Sequence, residues 1–444
     1  MKILTRILLL GTALIIAFIL SACFLLKPQA PTNLKAITLS ASSIKLSWNG
    51  SGDFIIYRSK LNVGAAFNSI ATTTFNDFVD TALTPSTTYY YKVRAKNDFG
   101  LSDPSNTASA TTKATPTNSI VIFPDPVLNS IIRVQIGKPA GDIYESDLTT
   151  IATISNNWPS SAASKIANLE GIQYCVNLKS LEIINNNVSD VSMLASLTHL
   201  QDLNIWYNNV SDISPIQNLT NIKKLYLDYD PIPKSNWAFL KNWTWLEELG
   251  MGGMGLTNSD ITFLSNFSNL TWLQIFNNSN IDDLSPIASL TNLEVLLING
   301  NNITDLSPLS KLVNLRNLNV GDNPATDLTS LRSLTSLKIL AIFGNHLTDI
   351  SPLASLTSLE TLAIEHNNVS NISPLEGLNN LKGLNLSYNQ IDDISPLVKN
   401  SGINNGDYLD VRWNLLNLTP PSTDLNDIQT LQGRGVQVLY NPQR

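Results

Sequence analysis

From Trp206 onward, aromatic side chains set among a few charges recur at intervals close to 22 residues, and their types suit recognition chemistry. They are Trp206, Tyr207, Tyr226, Asp228, Tyr229, Trp272, Phe276, Phe343, Glu365, His366, Tyr388, Arg412 and Trp413. Exposed rings with neighbouring charges make up the centre of a protein interface, where aromatic anchors carry much of the binding energy. Tyr and Trp also suit sugar rings. Catalysis needs a convergent set of groups instead. The histidines, His199, His346 and His366, fall in separate segments, and the sequence holds no metal spacing, phosphate loop or nucleophile elbow. The expectation is therefore a binding protein, not an enzyme, with neither a cofactor nor a metal.

Something periodic must hold these side chains. The template Leu-x-x-Leu-x-Leu-x-x-Asn-x-Ile-x-Asp-Ile-x-x-Leu-x-x-Leu starts at Leu178, Leu200, Ile222, Leu246, Leu270, Leu293, Leu315, Leu337, Leu359 and Leu381. Most intervals are 22 residues, and those from Ile222 to Leu246 and from Leu246 to Leu270 are 24. A fixed period of this length is the signature of stacked coils. Leu337, Leu340 and Ile342 would point inward from a short parallel strand. Asn345, with Asn186, Asn208, Asn278, Asn301, Asn323, Asn367, Asn389 and Asn414, would satisfy backbone groups where the chain turns. Asp349-Ile350-Ser351-Pro352-Leu353 then opens the return side, with Ser as N-cap and Pro as first helical residue. Only a turn of helix fits there. With a further strand at Leu409 to Asn414, eleven strands at about 4.8 Å predict a ribbon of roughly 50 Å.

Residues between the core leucines are expected on the concave side, richest around Trp206, Tyr226 and Trp272. Some rings could instead stack as ladders between adjacent strands. The insertion from Ser235 to Trp245 reads as a longer convex helix packed on the core. Gly250, Gly252 and Gly253 leave a gap that is either a pocket floor or a run of small residues. The column Asp190, Asp212, Asp283, Asp305, Asp327, Asp349 and Asp393 could attract a cation, but bonding to the adjacent backbone at turns is the favoured reading. Cys175 reads as a small buried filler rather than a reactive thiol.

Elsewhere the periods change. From Ala30 to Thr112, Ile44, Leu46 and Trp48 alternate with polar residues, as do Tyr89, Tyr91, Val93 and Ala95. Period two with one apolar face means half-buried strands, and several in so short a span mean an antiparallel sandwich. After a Thr/Ala/Pro/Asn-rich linker, Val127, Leu128, Ile131, Ile132 and Val134 outline a short amphipathic helix ending near Gly137. A second helical segment begins near Ser146-Asp147-Leu148. A solenoid cannot leave its first core face in water, so these form an N-terminal cap. Leu425, Ile428, Leu431 and Val436 outline a C-terminal one.

Three resemblances follow. Pro31-Thr32-Asn33-Leu34, Leu46-Ser47-Trp48 and Leu83-Thr84-Pro85-Ser86-Thr87-Thr88-Tyr89 resemble the opening strand, core tryptophan and tyrosine corner of a fibronectin type III domain. The resemblance implies a phenol hydrogen-bonded to the chain upstream, and a spacer or weak ligand module. Ile122-Phe123-Pro124-Asp125-Pro126 and the repeats resemble bacterial internalin-type leucine-rich-repeat surface proteins, which implies protein binding by the concave sheet. The chain departs from that family in its lipid-type anchor, in a sandwich that precedes the repeats, and in having no immunoglobulin-like domain after them. The resemblance therefore implies only the mode of binding. Leu20-Ser21-Ala22-Cys23, after Lys2, Arg6 and an apolar run, resembles a lipobox, which implies cleavage before Cys23 and a diacylglycerol thioether on it.

The expected fold is mixed α/β: a leucine-rich-repeat solenoid, parallel β on the concave face and short helical turns on the convex face, after an all-β fibronectin type III-like sandwich. The expected divisions are a lipoprotein signal peptide over 1–22, a tether over 23–29, the sandwich over 30–112 and a linker over 113–119. A helical cap over 120–177, repeats over 178–414 and a C-terminal cap over 415–444 follow. Charged residues are 14% of the chain, well below the usual quarter, and net charge is −7, reaching −9 once Lys2 and Arg6 leave with the signal peptide. An acidic surface without basic runs argues against nucleic acid. The expected partner is a protein at the cell surface, or a glycan, met by a monomeric, lipid-anchored extracytoplasmic chain. The alternative function is carbohydrate binding in support of extracellular polysaccharide use. The alternative anchor is residues 7–26 left as an uncleaved membrane helix. Mass spectrometry of the mature chain should find a lipid-modified Cys23 at its start; an intact Met1 would overturn the lipoprotein reading.

Overall fold

The computed structural model of the protein describes residues 27–114 and 118–444. Cys23 and the leader before it lie outside the described residues. Among those described, no helix is long and apolar enough to cross a membrane.

Residues 32–111 form the sandwich. One sheet pairs Thr32–Thr38 with Ile44–Asn49 and then with Asp77–Asp80. The other runs Asn68–Thr73, Asp53–Ser59, Thr88–Asn97, Gly100–Leu101, with Ala108–Thr111 also on Thr88–Asn97. The alternation read from sequence is the burial pattern found: Tyr89, Tyr91, Val93 and Ala95 face the core. Trp48 is buried, edge-on to Phe54 at 5.4 Å. The Thr84 N–H donates to the Tyr89 phenol oxygen at 2.9 Å, which closes the tyrosine corner.

Beyond the sandwich, thirteen three-residue strands stack in chain order as one parallel sheet. A central leucine from each repeat, such as Leu203, Leu225, Leu318 and Leu340, pairs with its counterpart one coil away and is buried. The cores join into a single apolar column from Val121 to Val438. Burial of each such side chain is worth about 1.5–3 kcal/mol, so every coil depends on its neighbours for stability. Two strands exceed the eleven expected. Thr153–Ser155 and Gln437–Leu439 come from the two caps, where no leucine template marks them.

The asparagine column works as its spacing predicts. Asn208 Nδ2 donates to the carbonyls of Ile183 and Ile205, and its Oδ1 accepts from the Val188 N–H at 3.0 Å. On the return side most coils make a turn of 3₁₀ helix three to five residues long, and Ser395–Lys399 makes a turn of α-helix instead. Here the structure corrects one expectation. Serine is not the cap but the first residue of the turn Ser351–Ser355, and the Asp349 carboxylate accepts from its N–H at 2.7 Å. Asp190, Asp212, Asp283, Asp305, Asp327 and Asp393 bond likewise to the backbone two residues on. A carboxylate reaches that N–H from two residues back, whereas a serine oxygen in the first turn cannot reach its own. Cys175 is fully buried, and burial pushes its thiol up to about 12, in keeping with a filler.

The insertion is not one longer helix. It is a four-residue α-turn, Lys234–Trp237, followed by the 3₁₀ turn Ala238–Asn242, with Trp237, Phe239, Leu240 and Trp243 buried. It also meets the sandwich. Phe75 lies edge-on to Phe239 at 5.8 Å, and Gln217 Nε2 donates to Asp77 Oδ1 at 3.0 Å. The sandwich is thus packed on the return side of the early coils rather than standing off as a free spacer. The apolar side chains that a 24-residue coil adds are what it packs on.

The N-terminal cap is tied by one carboxylate. Asp125 caps the helix Pro126–Gln135, its Oδ1 accepting from the Val127 and Leu128 N–H groups. Its Oδ2 accepts from Ala167 and Asn168, at 2.7 and 3.2 Å. Asp125→Ala removes a helix cap and a link to the first coil together. It is expected to lower unfolding stability by about 2–3 kcal/mol, read by urea denaturation. A loss below that of an exposed Asp→Ala control would show that the cap does not depend on it.

Candidate functional site

The concave face is built from columns, one residue per coil. Asp202, Lys224, Glu248 and Trp272 form the first, and Asn204, Tyr226, Gly250 and Gln274 the second. Trp206, Asp228, Gly252 and Phe276 form the third. Beside it runs a column that the sequence did not distinguish. In Trp158, Asn185, Tyr207, Tyr229, Gly253, Asn277, Gly300, Asp322, Gly344, His366, Tyr388 and Trp413 the backbone is left-handed, with φ between 51° and 69°. The chain leaves the sheet there, and each N–H still reaches the next coil, as Tyr207 does to the Asp228 carbonyl at 2.9 Å. Glycine, asparagine and aspartate adopt this conformation at least cost. An aromatic residue there carries about 1–3 kcal/mol of strain. The middle coils use the inexpensive residues and the two ends use rings.

At the N-terminal end the rings join. Tyr207 stacks on Tyr229 at 4.4 Å, and Trp206 lies parallel to Tyr207 at 6.1 Å. Phe276 leans on both Trp206 and Tyr229 at 5.9 Å. Trp158 closes the group from the cap, 6.1 Å from Trp206 and 5.9 Å from Tyr207. It is 55% exposed and Tyr207 is 41% exposed, so the cluster has an open apolar edge. Trp158 escaped the sequence reading because its strand belongs to the cap. The signal that could have found it is Asn156-Asn157-Trp158, a polar-aromatic turn directly after the strand Thr153–Ser155.

At the C-terminal end His366, Tyr388 and Trp413 form a second stack, at 4.3 and 5.4 Å. Arg412 beside it is held to Asp410, and Glu365 is half-buried with its carboxyl raised above the usual range by burial. Tyr226 bonds Glu248, and burial raises its phenol. Trp272 is half-exposed one column away, its Nε1 on Gln274. Phe343 lies across Gly321 in the middle coils, apart from both clusters. Ladder stacking between coils, weighed above as the alternative for these rings, is present in both clusters.

One expectation changes, and one open reading is decided. Asp228 faces the concave side but is fully buried, its oxygens held by the Gly252 N–H at 2.6 Å and by Gln274 Nε2 at 2.8 Å. Burial pushes its carboxyl up to about 7. It supports the surface and offers no carboxylate to a ligand. Of the two readings of the glycine gap, the structure has the run of small residues and not the pocket floor. A Cβ on Gly250 would lie 2.6 Å from the Tyr226 ring and 2.8 Å from Gln274 Nε2, and one on Gly252 would lie 2.7 Å from Phe276. Larger neighbours lean in from both sides and fill the space.

The concave rings and the cap-sandwich arrangement can now be set beside known proteins. The model of leucine-rich repeats in two copies matches residues 291–333, 335–377 and 357–399, and that of the fibronectin type III domain matches 29–111. An internalin of Listeria monocytogenes is 34% identical, superposes with a TM-score of 0.58, and is matched over 72% of this chain and 92% of its own. The chain belongs to the internalin-type leucine-rich-repeat proteins. Their fold suggests protein–protein interaction or adhesion, and both module types are typically non-catalytic. Two curated enzymes are also similar. Exoglucanase B of Cellulomonas fimi is 39% identical over 99 residues, and an alpha-amylase of Niallia circulans is 39% identical over 94. Each similarity covers about a fifth of this chain, in its fibronectin-like part, and this internalin-type chain spans less than a tenth of either enzyme.

Gly250→Ala tests the filled gap. Inserting a methyl among Asp228, Tyr226 and Gln274 is expected to cost about 1–3 kcal/mol, as a lower midpoint in urea. An unchanged midpoint would mean the space is open after all.

Proposed function

We propose that this chain is a membrane-tethered, extracytoplasmic binding protein that engages a protein partner with the N-terminal half of its concave face. The observation that carries the reading is the cluster of Trp158, Trp206, Tyr207, Tyr229 and Phe276. Five rings converge there beside an open edge, on a sheet stiffened by coils on both sides. Rigid aromatics lose little side-chain entropy on binding and bury large areas, which is why they anchor interfaces. Tyr226, Trp272, Phe343 in the middle coils, and Tyr388 and Trp413 at the C-terminal end extend the contact surface, with Asp228 as support beneath it. A lipid on Cys23 would hold the chain at a membrane.

Carbohydrate binding is the second reading. The row of rings His366, Tyr388 and Trp413 at coil spacing favours it, since a glycan chain repeats on a similar scale.

A proteome pull-down and a glycan array, each run with wild type and with Trp158→Ala/Tyr207→Ala/Tyr229→Ala, separate the two. Loss of a captured protein in the triple variant by at least about tenfold in affinity is expected. Capture unchanged by the triple variant would overturn the concave assignment. Retention on glycans alone would establish the second reading.

A further inference from the structure

The column of asparagines has one aspartate. Asp230 sits where Asn208 sits one coil before it and Asn278 two coils after it, is 2% exposed, and accepts from the Val210 N–H through Oδ1 at 2.8 Å. That half of the rung matches Asn208, whose Oδ1 accepts from Val188. The other half does not. In Asn208 the second atom is an amide nitrogen donating to carbonyls twenty-five and three residues back, those of Ile183 and Ile205. In Asp230 it is Oδ2, buried and without a hydrogen-bond partner. The carbonyls at the same offsets are those of Ile205 and Leu227. An ionised carboxylate at this place sets an acceptor against acceptors and leaves a buried charge unbalanced, whereas a carboxylic acid donates as the amide does.

The next coil offers no help. Elsewhere a rung's own N–H is taken by the following asparagine, as Asn323 N–H is by Asn345 Oδ1 at 3.2 Å. After Asp230 the column position is Met254, and the Asp230 N–H turns back to the Leu227 carbonyl at 3.2 Å. The charged group that acts on Asp230 is Asp228, which disfavours ionisation. The Val210 and Asn208 backbone N–H groups of the preceding coil favour the ionised form, and burial outweighs them. Lys234, close by in sequence, is engaged with Asp260.

We propose that Asp230 carries its proton in the folded coil at neutral pH and is a proton-dependent rung, whose ionisation loosens the coil that positions Tyr229 in the ring cluster. Burial pushes the Asp230 carboxyl up to about 8. The sign follows from linkage. A group whose pKa is raised on folding holds its proton more tightly in the folded state. Its contribution is full below the unfolded value of about 4, declines as pH rises, and is gone above its folded value. Asp228, raised to about 7, acts in the same direction and must be separated from it. The inference concerns the coil beneath the site and holds for a protein or a glycan partner.

Thermal unfolding of the full chain between pH 5 and pH 9 tests it, in wild type, Asp230→Asn and Asp228→Asn. Asp230→Asn restores the repeat's own residue and is expected to raise Tm by about 2–4 °C at pH 8.5, with the gap closing toward pH 5. Exchange of the Val210 amide, corrected for intrinsic pH dependence, should quicken with pH in wild type and not in Asp230→Asn. A gap that does not vary with pH, a Tm lowered by Asp230→Asn, or a pH slope abolished by Asp228→Asn alone would each overturn the proposal.

Discussion

A coil that turns inside a protein must bury backbone N–H and C=O groups at the turn, and in this solenoid one polar side chain satisfies them in each repeat coil except the one that carries Met254. The asparagine amide is suited to it because it accepts on one side and donates on the other, so a single residue joins its own coil to both neighbours. Asn278 shows the full pattern. It accepts from the Met254 and Leu256 N–H groups, donates to the Met251 and Ile275 carbonyls, and gives its own N–H to Asn301. The parallel sheet, the apolar column and the alignment of the concave residues all depend on this stacking. It also explains why the aspartate at position 230 matters, since that residue keeps the shape of an asparagine and can donate only while it holds a proton.

The left-handed column next to the asparagines shows how rings have been placed on the frame. The chain must leave the sheet through a conformation that glycine adopts freely. Where Gly253, Gly300 and Gly344 stand, that requirement is met without strain. Where Tyr207, Tyr229, Tyr388 and Trp413 stand, the same conformation is imposed on bulky residues. Stacking returns about 0.5–1.5 kcal/mol per ring pair and offsets part of the strain. The corner aims each ring along the solenoid onto the ring of the next coil, so that flat side chains form continuous platforms.

The periodic part of the fold was legible in the sequence because each coil repeats the same physical requirement. Leu337, Leu340, Ile342 and Asn345 recur as a set, and the set names the strand, the core and the turn. The tyrosine corner at Tyr89 was legible through the resemblance to a fibronectin type III domain, whereas the capping by Asp125 is seen only in the structure. What escaped depends on contacts between elements. Trp158 joins the ring cluster from a strand without a leucine pattern. Asp228 alternates with the core as an exposed residue should, yet Gly252 and Gln274 enclose it. The end strands Thr153–Ser155 and Gln437–Leu439 are recognised only by pairing with their neighbours. That Phe239 meets Phe75 could not be read from either segment alone.

The contact between the sandwich and the early coils sets where mechanical load travels. Asp77, Phe75, Gln217 and Phe239 lie on a second path between the two domains, in parallel with the linker. A pull at residue 27 against the solenoid is shared between that contact and the linker. Until the contact yields, the linker is shielded from extension, and the face turns with the sandwich as one lever.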